Sequence, residues 1–346
     1  MSKHTPHATP IPTQWVGPIK ITGDVLDEEV SVPMATYETP LWPSTGRGAR
    51  VSRKSGGIRC TLIDERMARS VVLRADDGAA AGRAWASIEA RFEELAAVVA
   101  STSRFTKLLA VNRQIVGNLL FLRFECSTGD ASGHNMVTKA ADALIPWLLE
   151  NYPSLEYGSI SGNFCTDKKA SAVNGILGRG KNVVADISIQ RDVCEALLRT
   201  TPEKMAQLNT EKNLIGGNIA GSLRSANAHF ANMLLAFYLA TGQDAANIIE
   251  GSQGVVHCEA RDDSLYFSCT LPNLIVGAIG SGKANPVAED HLQQMGCLDT
   301  GRAEGANGRR LAAICAATVL CGELSLMAAQ TNPGELMRTH VLMERE

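Results

Sequence analysis

The sequence of 346 residues lacks several features that would mark particular protein classes. Its net charge is only -3, so it has no general electrostatic attraction for nucleic acid or anionic lipid. Its nine cysteines are odd in number and form no CxxC pair, which indicates reduced core residues of a cytosolic protein. The longest apolar runs, 233–240 and 311–321, are too short to span a bilayer, and the N-terminus has no apolar signal segment. We therefore expect a cytoplasmic protein that contacts neither membrane nor nucleic acid.

Composition is that of an ordinary globular chain, with 45% hydrophobic and 20% charged residues. A chain of this length is long enough for two hydrophobic cores, so we expect two domains. With a balanced net charge, any anion binding has to be local.

The stretch SGNFCTDKKASAVN, residues 161–174, concentrates polar chemistry at the head of an apolar run. Lys168 and Lys169 would repel each other unless nearby carboxylates or an anionic ligand supply negative charge. Asp167 supplies only part of that charge. Taken alone, the stretch is equally compatible with a solvated turn before a helix that begins near Lys169.

Residues 70–160 follow the order βαββαβ, which is the split βαβ or ferredoxin-like arrangement. Apolar residues at helical spacing, such as Trp85, Ile88 and Phe92, mark the first helix, and Gly117-Asn118 marks a hairpin turn. We predict a small α/β domain here. Its loop Ser127–Asn135 leads into a helix N-terminus, where backbone N–H groups attract anions, although such turns are also common without ligands.

Two further segments combine charged side chains with apolar runs. Residues 30–50 begin as a strand and then place Glu38 and several cations among Gly and Pro, which suits a phosphate-contacting loop or an ordinary charged turn. The longest helical candidate covers about 214–247, and its apolar run MLLAFYLA predicts a buried central helix. Asp244, at the end of that helix, needs a cationic partner.

Several strings occur in one order along the chain: MATYE, DASGHN, SGNFCTDKK, NAHFAN and GQDAAN, followed by the late His340. Together they resemble the catalytic portion of the class I enzymes of the 3-hydroxy-3-methylglutaryl-coenzyme A (HMG-CoA) reductase family. The similarity extends from about Pro12 to Glu346. The resemblance is specific because SGNFCTDKK and GQDAAN are long and unusual strings.

The resemblance implies an α+β fold in which a large domain surrounds a long central helix and carries an inserted ferredoxin-like domain that binds the cofactor. The implied divisions are 1–69 and 172–330 for the large domain, 70–158 for the small domain, 159–171 for a connecting catalytic loop and 331–346 for a C-terminal flap. The implied reaction is the four-electron reduction of HMG-CoA to mevalonate and CoA in isoprenoid precursor synthesis. It uses two NADPH, with NADH as the alternative, and no metal. The implied assembly is a homodimer with shared active sites, or a tetramer.

The resemblance also assigns roles to individual residues. Lys168 matches the lysine that stabilises an oxyanion and Asp244 the carboxylate bonded to it, while Glu38 matches a proton donor. His340 matches the histidine that protonates the CoA thiolate. The implied HMG contacts are Arg69, Ser161, Asn163, Asp167, Lys169, Lys212 and Asn232. The implied CoA contacts are Ser44, Arg47, Arg50, Arg199 and His229. The implied cofactor contacts are Ser103, Arg104, Phe105, Asp130, Gly133, Asn135, Gly280, Gly282 and Arg345.

The sequence departs from the family pattern at a few places. Tyr37, Thr39 and Pro40 flank Glu38 where small residues are usual, and Ser281 breaks the usual glycine triplet. Three other hypotheses stay open at this point. The same chemistry could run backward as mevalonate oxidation with NAD and CoA, Cys165 could serve a thiol acyltransferase or hydrolase, or the chain could bind CoA without catalysis.

Overall fold

The computed structural model describes residues 9–280, 282–283 and 285–344, except for the side chains at 339, 340 and 342–344. Nine strands occur in these residues. They are β1 (Thr13–Thr22), β2 (Glu28–Ala35), β3 (Ile58–Arg74), β4 (Lys107–Val116), β5 (Leu119–Ser127), β6 (Glu156–Ser159), β7 (Gly180–Gln190), β8 (Val255–Arg261) and β9 (Ser264–Leu274).

Strand β3 belongs to two sets of partners. Its first half pairs with β7 as far as Arg66, within the order β2-β1-β3-β7-β9-β8. Its second half, from Met67 onward, pairs with β5, and β6 joins on the other side to give the antiparallel order β4-β5-β3-β6. The two parts of the protein are therefore connected through one continuous 17-residue strand.

Helices surround both sets of strands. They are α1 (Leu41–Lys54), α2 (Gly78–Ala90), α3 (Phe92–Thr102), α4 (His134–Asn151), α5 (Ala172–Leu177), α6 (Arg191–Val193), α7 (Pro202–Leu208), α8 (Gly217–Ile219), α9 (Phe230–Ala240), α10 (Ile248–Gly251), α11 (Pro286–Gln294), α12 (Ala306–Gln330) and α13 (Glu335–Glu344). Short π-helical segments follow α6 and α7, at Cys194–Leu198 and Asn209–Gly216, and a 3-10 turn, Ala245–Asn247, precedes α10.

The mixed α/β class is as predicted, but the predicted helix over 214–247 is wrong. The chain leaves helical geometry after α8, where Gly221 and Arg224 have positive φ angles of 72° and 54°. It re-enters a helix only at Phe230, and α9 ends before Gly242, whose φ is 65°. Glycine carries a high conformational cost inside a helix, so the glycines of this segment favour interruption.

Helix α12 is the buried helix of the larger part. It is 25 residues long and its side chains from Leu311 to Ser325 are all buried. Among the described residues it is the one helix long and apolar enough to cross a bilayer, but 94% of its apolar window lies inside the protein. A helix that is apolar on every side and packed in this way is a core helix.

Two hydrophobic clusters follow the two sets of strands. The larger surrounds α12 and includes β7 and β9, whereas the smaller lies between β5, α2 and α4. All nine cysteines are buried and unpaired, and burial raises the pKa of several of them, Cys258 to about 12. The thiols whose pKa is raised are therefore in their neutral form within the cores.

The segment predicted as a phosphate-contacting loop is instead largely helical. Pro40 precedes α1, and Ser44, Arg47 and Arg50 lie on that helix. The helix packs so closely on α12 that a Cβ atom added at Gly48 would lie 2.2 Å from the carbonyl oxygen of Cys321. A residue without a Cβ is required at this contact.

Two glycines of α1 test this packing. We expect Gly48→Ala to lower the free energy of unfolding by about 1–3 kcal/mol, since the backbone of α12 has to move away. Gly46→Ala is the matched control, because its Cβ would meet nothing closer than 3.9 Å, and it should be neutral or stabilise by up to about 1 kcal/mol. Urea unfolding of both variants checks this; equal stability of the two would contradict it.

Candidate functional site

The stretch 161–174 forms a loop with unusual backbone geometry. Asn163, Thr166 and Lys168 have positive φ angles of 56°, 41° and 57°, a region that costs non-glycine residues about 1–2 kcal/mol each. The loop is held by Cys165, whose N–H donates to Ser70 Oγ at 3.2 Å. Such a conformation persists only where surrounding contacts impose it.

Buried Arg123 fixes the far end of this loop. Its Nη1 donates to Asn174 Oδ1 at 2.7 Å and its Nη2 to the carbonyl of Gly178 at 2.7 Å. Its Nε donates to Glu125 Oε1 at 2.8 Å, and Arg66 pairs with the other oxygen of Glu125 at 2.5 Å. The loop is thereby tied to strand β5 through a fully buried pair of charges.

A second buried arginine, Arg179, holds the carboxylate of the loop. Its Nη1 lies 3.0 Å from Asp167 Oδ1 and 2.5 Å from Glu250 Oε1, while Arg69 lies 3.8 Å from the other oxygen of Asp167. Burial raises the pKa of Glu250, and the positive charge of Arg179 opposes that rise. His134, at the start of α4, faces the same carboxylate at 3.8 Å.

Lys168 and Asp244 form the predicted pair, with Nζ 2.7 Å from Oδ2. The hydrogen bond raises the pKa of Lys168. For Asp244, burial raises the pKa, but the hydrogen bond and charge of Lys168 lower it overall. Both groups are therefore charged, and with 41% and 44% of their side chains exposed they remain accessible to a ligand.

Glu38 lies in a separate cavity of about 660 Å³. Asn232 Nδ2 donates to Glu38 Oε2 at 2.6 Å. The cavity is bordered by the ends of α1, α12 and α13. The predicted residues that line it are Glu38, Ser44, Arg47, Arg50, Arg199, His229 and Asn232.

Two of these cavity residues, Arg47 and His229, contact carboxylates of the helices that border the cavity. Arg47 Nη1 pairs with Glu335 of α13 at 2.9 Å, and its Nε donates to Ser325 Oγ at 2.9 Å. His229 Nδ1 lies 2.9 Å from Glu323 Oε2. Lys212, a predicted HMG contact outside the cavity lining, donates to Asn213 Oδ1 at 3.3 Å, and burial lowers the pKa of Lys212.

The predicted cofactor residues occupy neighbouring loops. Asp130 accepts from the N–H groups of Gly308 at 2.7 Å and Gly305 at 3.3 Å, so its carboxylate binds the start of α12. Gly133 has a φ of 93° and begins α4, which also carries Asn135. Ala131 forms an isolated β-bridge with Ile279, which directly precedes Gly280. Arg104 lies 4.4 Å over the Phe105 ring, and Ser103 Oγ accepts from the N–H of Phe105.

The remaining predicted residues lie as follows. Lys169 Nζ donates to the carbonyl of Asp167, and the N–H of Ser161 donates to Ser159 Oγ. Gly280 and Gly282 have φ angles of 108° and 88°. The side chain of His340, and Ser281 and Arg345 altogether, lie outside the described residues. Cys165 is fully buried with Ser70 Oγ 3.4 Å from its thiol, which argues against the nucleophile hypothesis.

The predicted catalytic residues form two groups within the part of the chain that is described. One is Glu38 with Asn232, the other Lys168 with Asp244, and no hydrogen bond or ion pair joins them there. The sequence reasoning missed the residues that support the second group, namely the buried Arg123, Glu125, Arg179 and Glu250 and the partly buried His134. The available signal was the pair Arg123 and Glu125 in the apolar run LLFLRFEC. Alternate residues of a strand share one face, so these two opposite charges are expected to lie side by side. Over the described residues, no group of three or more His, Cys, Asp or Glu side chains could hold a metal ion.

Comparisons of the sequence with a family model and with known proteins identify the same family. The sequence model of the family "Hydroxymethylglutaryl-coenzyme A reductase" matches residues 7–345. The chain is 42% identical to 3-hydroxy-3-methylglutaryl-coenzyme A reductase of Aeropyrum pernix over 339 residues, covering 98% of this chain and 80% of the relative. It is also 42% identical to the enzyme of the same name from Pyrococcus horikoshii over 337 residues, covering 97% and 81%.

The fold is similar to that of solved structures. The class II 3-hydroxy-3-methylglutaryl-CoA reductase from Streptococcus pneumoniae bound to NADPH superposes with a TM-score of 0.75 at 19% identity. The match covers 96% of this chain and 88% of that one.

The environment of His134 predicts a pH dependence of stability. Burial, and then the charge of Arg179, lower the pKa of His134 to about 4 in the folded protein, below its ordinary value of 6.5. The unfolded chain therefore binds this proton first, so the stability that neutral His134 contributes is present above about pH 6.5 and is lost as the pH falls toward 4. Relative to His134→Gln, the wild type should lose on the order of 2 kcal/mol across this window. Urea unfolding at several pH values and constant protein concentration measures it, and parallel pH profiles would contradict it.

Proposed function

The chain belongs to the hydroxymethylglutaryl-coenzyme A reductase family, and we propose that it reduces HMG-CoA to mevalonate and CoA at a site built on Lys168 and Asp244. The observation that carries this proposal is the 2.7 Å contact of Asp244 with Lys168, whose accessible side chain lies on a tightly anchored loop. It presents a fixed ammonium to a ligand. Reduction of a thioester carbonyl by hydride creates negative charge on oxygen, and a preorganised cation stabilises such an oxyanion.

Lys168 would serve both hydride transfers, first to the thioester and then to the aldehyde. Asp244 keeps the Lys168 ammonium protonated and in place, since the hydrogen bond between the two side chains raises the pKa of Lys168. Asp167 is held by Arg179 and would stabilise the loop, so we propose that its part in HMG recognition is indirect.

Glu38 would supply the proton for the aldehyde reduction. Its Oε2 accepts from Asn232, which leaves the other oxygen for the substrate. A proton donor must lie within hydrogen-bonding reach of the group it protonates, and the cavity around Glu38 would bring the acyl end of the CoA ester there. His340, in α13 next to this cavity, is the proposed donor to the departing thiolate.

The cavity suits CoA in shape and charge. Arg47, Arg50 and Arg199 provide guanidinium groups for phosphates, and Leu41 and Leu326 provide apolar surface for the pantetheine arm. Arg47 would exchange Glu335 for phosphate when CoA binds.

We further propose that the part built on β4-β5-β3-β6 is a ferredoxin-like module that binds NADPH, with NADH as the alternative. Its strand order and the loop 127–135 at the start of α4 support this proposal. We also propose domain divisions at residues 69, 158, 171 and 330, and membership of class I. Nine buried unpaired cysteines are consistent with action in the cytoplasm.

The proposed assembly is a homodimer with shared sites, or a tetramer. Exposed apolar side chains cluster in sequence around α8 and support an interface there; they are Leu214, Ile215, Ile219 and Leu223. A second copy would also bring the Lys168 group of one subunit close to the Glu38 group of its partner.

Lys168→Ala should abolish reduction of both HMG-CoA and mevaldehyde, because both steps pass through an oxyanion at the same place. Loss of one preorganised donor costs on the order of 10² to 10³ in rate. Cofactor oxidation with each substrate measures the loss. Lys54→Ala, at the end of α1 and outside the cavity lining, is the control and should keep wild-type rates. Near-native turnover of Lys168→Ala would leave Lys168 with a structural role only.

Mixed dimers test the shared site. Glu38→Gln should fail in proton donation and Asn135→Ala in holding the nicotinamide, so each homodimer should be nearly inactive. If one site draws these residues from different subunits, each mixed dimer has one intact site. Random reassociation makes half of the dimers mixed, so refolding the two variants together should restore about a quarter of wild-type activity. No recovery in a sample shown by tag pull-down to contain mixed dimers would mean that both residues serve one site from a single chain.

A further inference from the structure

Glu323 is a fully buried carboxylate in α12 that accepts several hydrogen bonds at the start of α9. It accepts from the backbone N–H groups of Ala228 and of His229, the latter at 3.0 Å, and from His229 Nδ1 at 2.9 Å. Backbone N–H groups at a helix N-terminus have no acceptor within the helix and favour a negative charge. The buried charge is therefore compensated by its own donors.

The contact with Glu323 determines how the imidazole of His229 is oriented. Both oxygens of Glu323 accept from backbone N–H groups, so the carboxylate is the acceptor for the ring as well and Nδ1 carries the proton in this contact. The other ring nitrogen, Nε2, is then left for the cavity that His229 lines together with Glu38 and Asn232. His229 and Asn232 are also linked through the backbone, since the N–H of Asn232 donates to the carbonyl of His229 at 3.0 Å.

We propose that Glu323 is a positioning residue that holds His229 with Nε2 available to the acyl end of the CoA ester, an inference that rests on the proposed function. Glu323 acts only through His229 and does not touch the substrate. A glutamine at this position would fill the same space, but its amide group could donate to Nδ1 and thereby favour the tautomer with the proton on Nε2. The carboxylate therefore sets which hydrogen-bonding group the cavity presents beside Glu38.

The tautomer of His229 can be measured without any turnover. The chain has seven histidines, so ¹⁵N-histidine labelling gives few signals, and His229→Gln assigns the one of interest. We expect the neutral ring of the wild-type protein to carry its proton on Nδ1. In Glu323→Gln a large share of the proton should move to Nε2. A wild-type His229 protonated on Nε2 would overturn the proposal, and this result needs no folded variant of Glu323.

Steady-state kinetics test whether Glu323 acts through His229. Glu323→Gln and His229→Gln should each lower kcat/KM for HMG-CoA about 10- to 100-fold, as expected for loss of a hydrogen bond to a charged group or of the group it orients. The double variant should be no worse than His229→Gln alone, because the two residues form one unit. Independent, multiplicative losses would assign Glu323 a purely structural role and overturn the proposal.

Thr318→Val is the matched control for disturbance of α12. Thr318 is fully buried in the same helix and donates to Ile314 of that helix at 2.7 Å, away from the cavity lining. Its kcat/KM should stay within about twofold of wild type even where its stability falls. A loss as large as that of Glu323→Gln would overturn the proposal, whereas absence of HMG-CoA reduction by the wild type would overturn the proposed function.

Discussion

The loop 161–174 depends on the buried guanidinium of Arg179. This one group joins Asp167 of the loop to Glu250 of α10, and its positive charge opposes the rise that burial causes in the pKa of Glu250. Removing one partner of a buried ion pair leaves an uncompensated charge, which costs about 3–5 kcal/mol. Arg123 secures the other end of the loop at Asn174. These two arginines allow a loop with three left-handed, non-glycine residues to present Lys168 in a fixed position.

Within one chain, the proposed cofactor loop and the proposed CoA cavity are held by the same core helix. Asp130, in the proposed cofactor loop, binds the start of α12, and Glu323 and Ser325 near the other end reach His229 and Arg47. The helix is apolar on every side and closely packed, so it transmits position rather than absorbing movement. The distance between the proposed cofactor loop and the CoA cavity is therefore set by the packing of α12, with β3 as a second rigid connection.

The charged pair of Lys168 and Asp244 differs in kind from the arginine network beneath it. The network is buried and has no contact with solvent at Arg123, Arg179 and Glu250, whereas more than two fifths of each side chain of the pair is exposed. An exposed ion pair contributes little stability, so the pair is not needed to hold the fold together. In the proposed dimer, the accessible pair would face the Glu38 cavity of the partner subunit.

Local patterns in the sequence predicted the order of strands and helices over 70–160 and pointed to residues that the structure brings together. The adjacent lysines of SGNFCTDKK and the carboxylate of GQDAAN pointed to Lys168 and Asp244, and the pattern βαββαβ predicted β4, β5 and β6. The tertiary structure alone decided that 214–247 is interrupted, that 41–54 is helical, and that Arg179 pairs with Glu250 and His229 with Glu323. Periodicity and propensity act over a few residues, whereas the partners of these buried charges lie 71 and 94 residues away, and only packing brings them together.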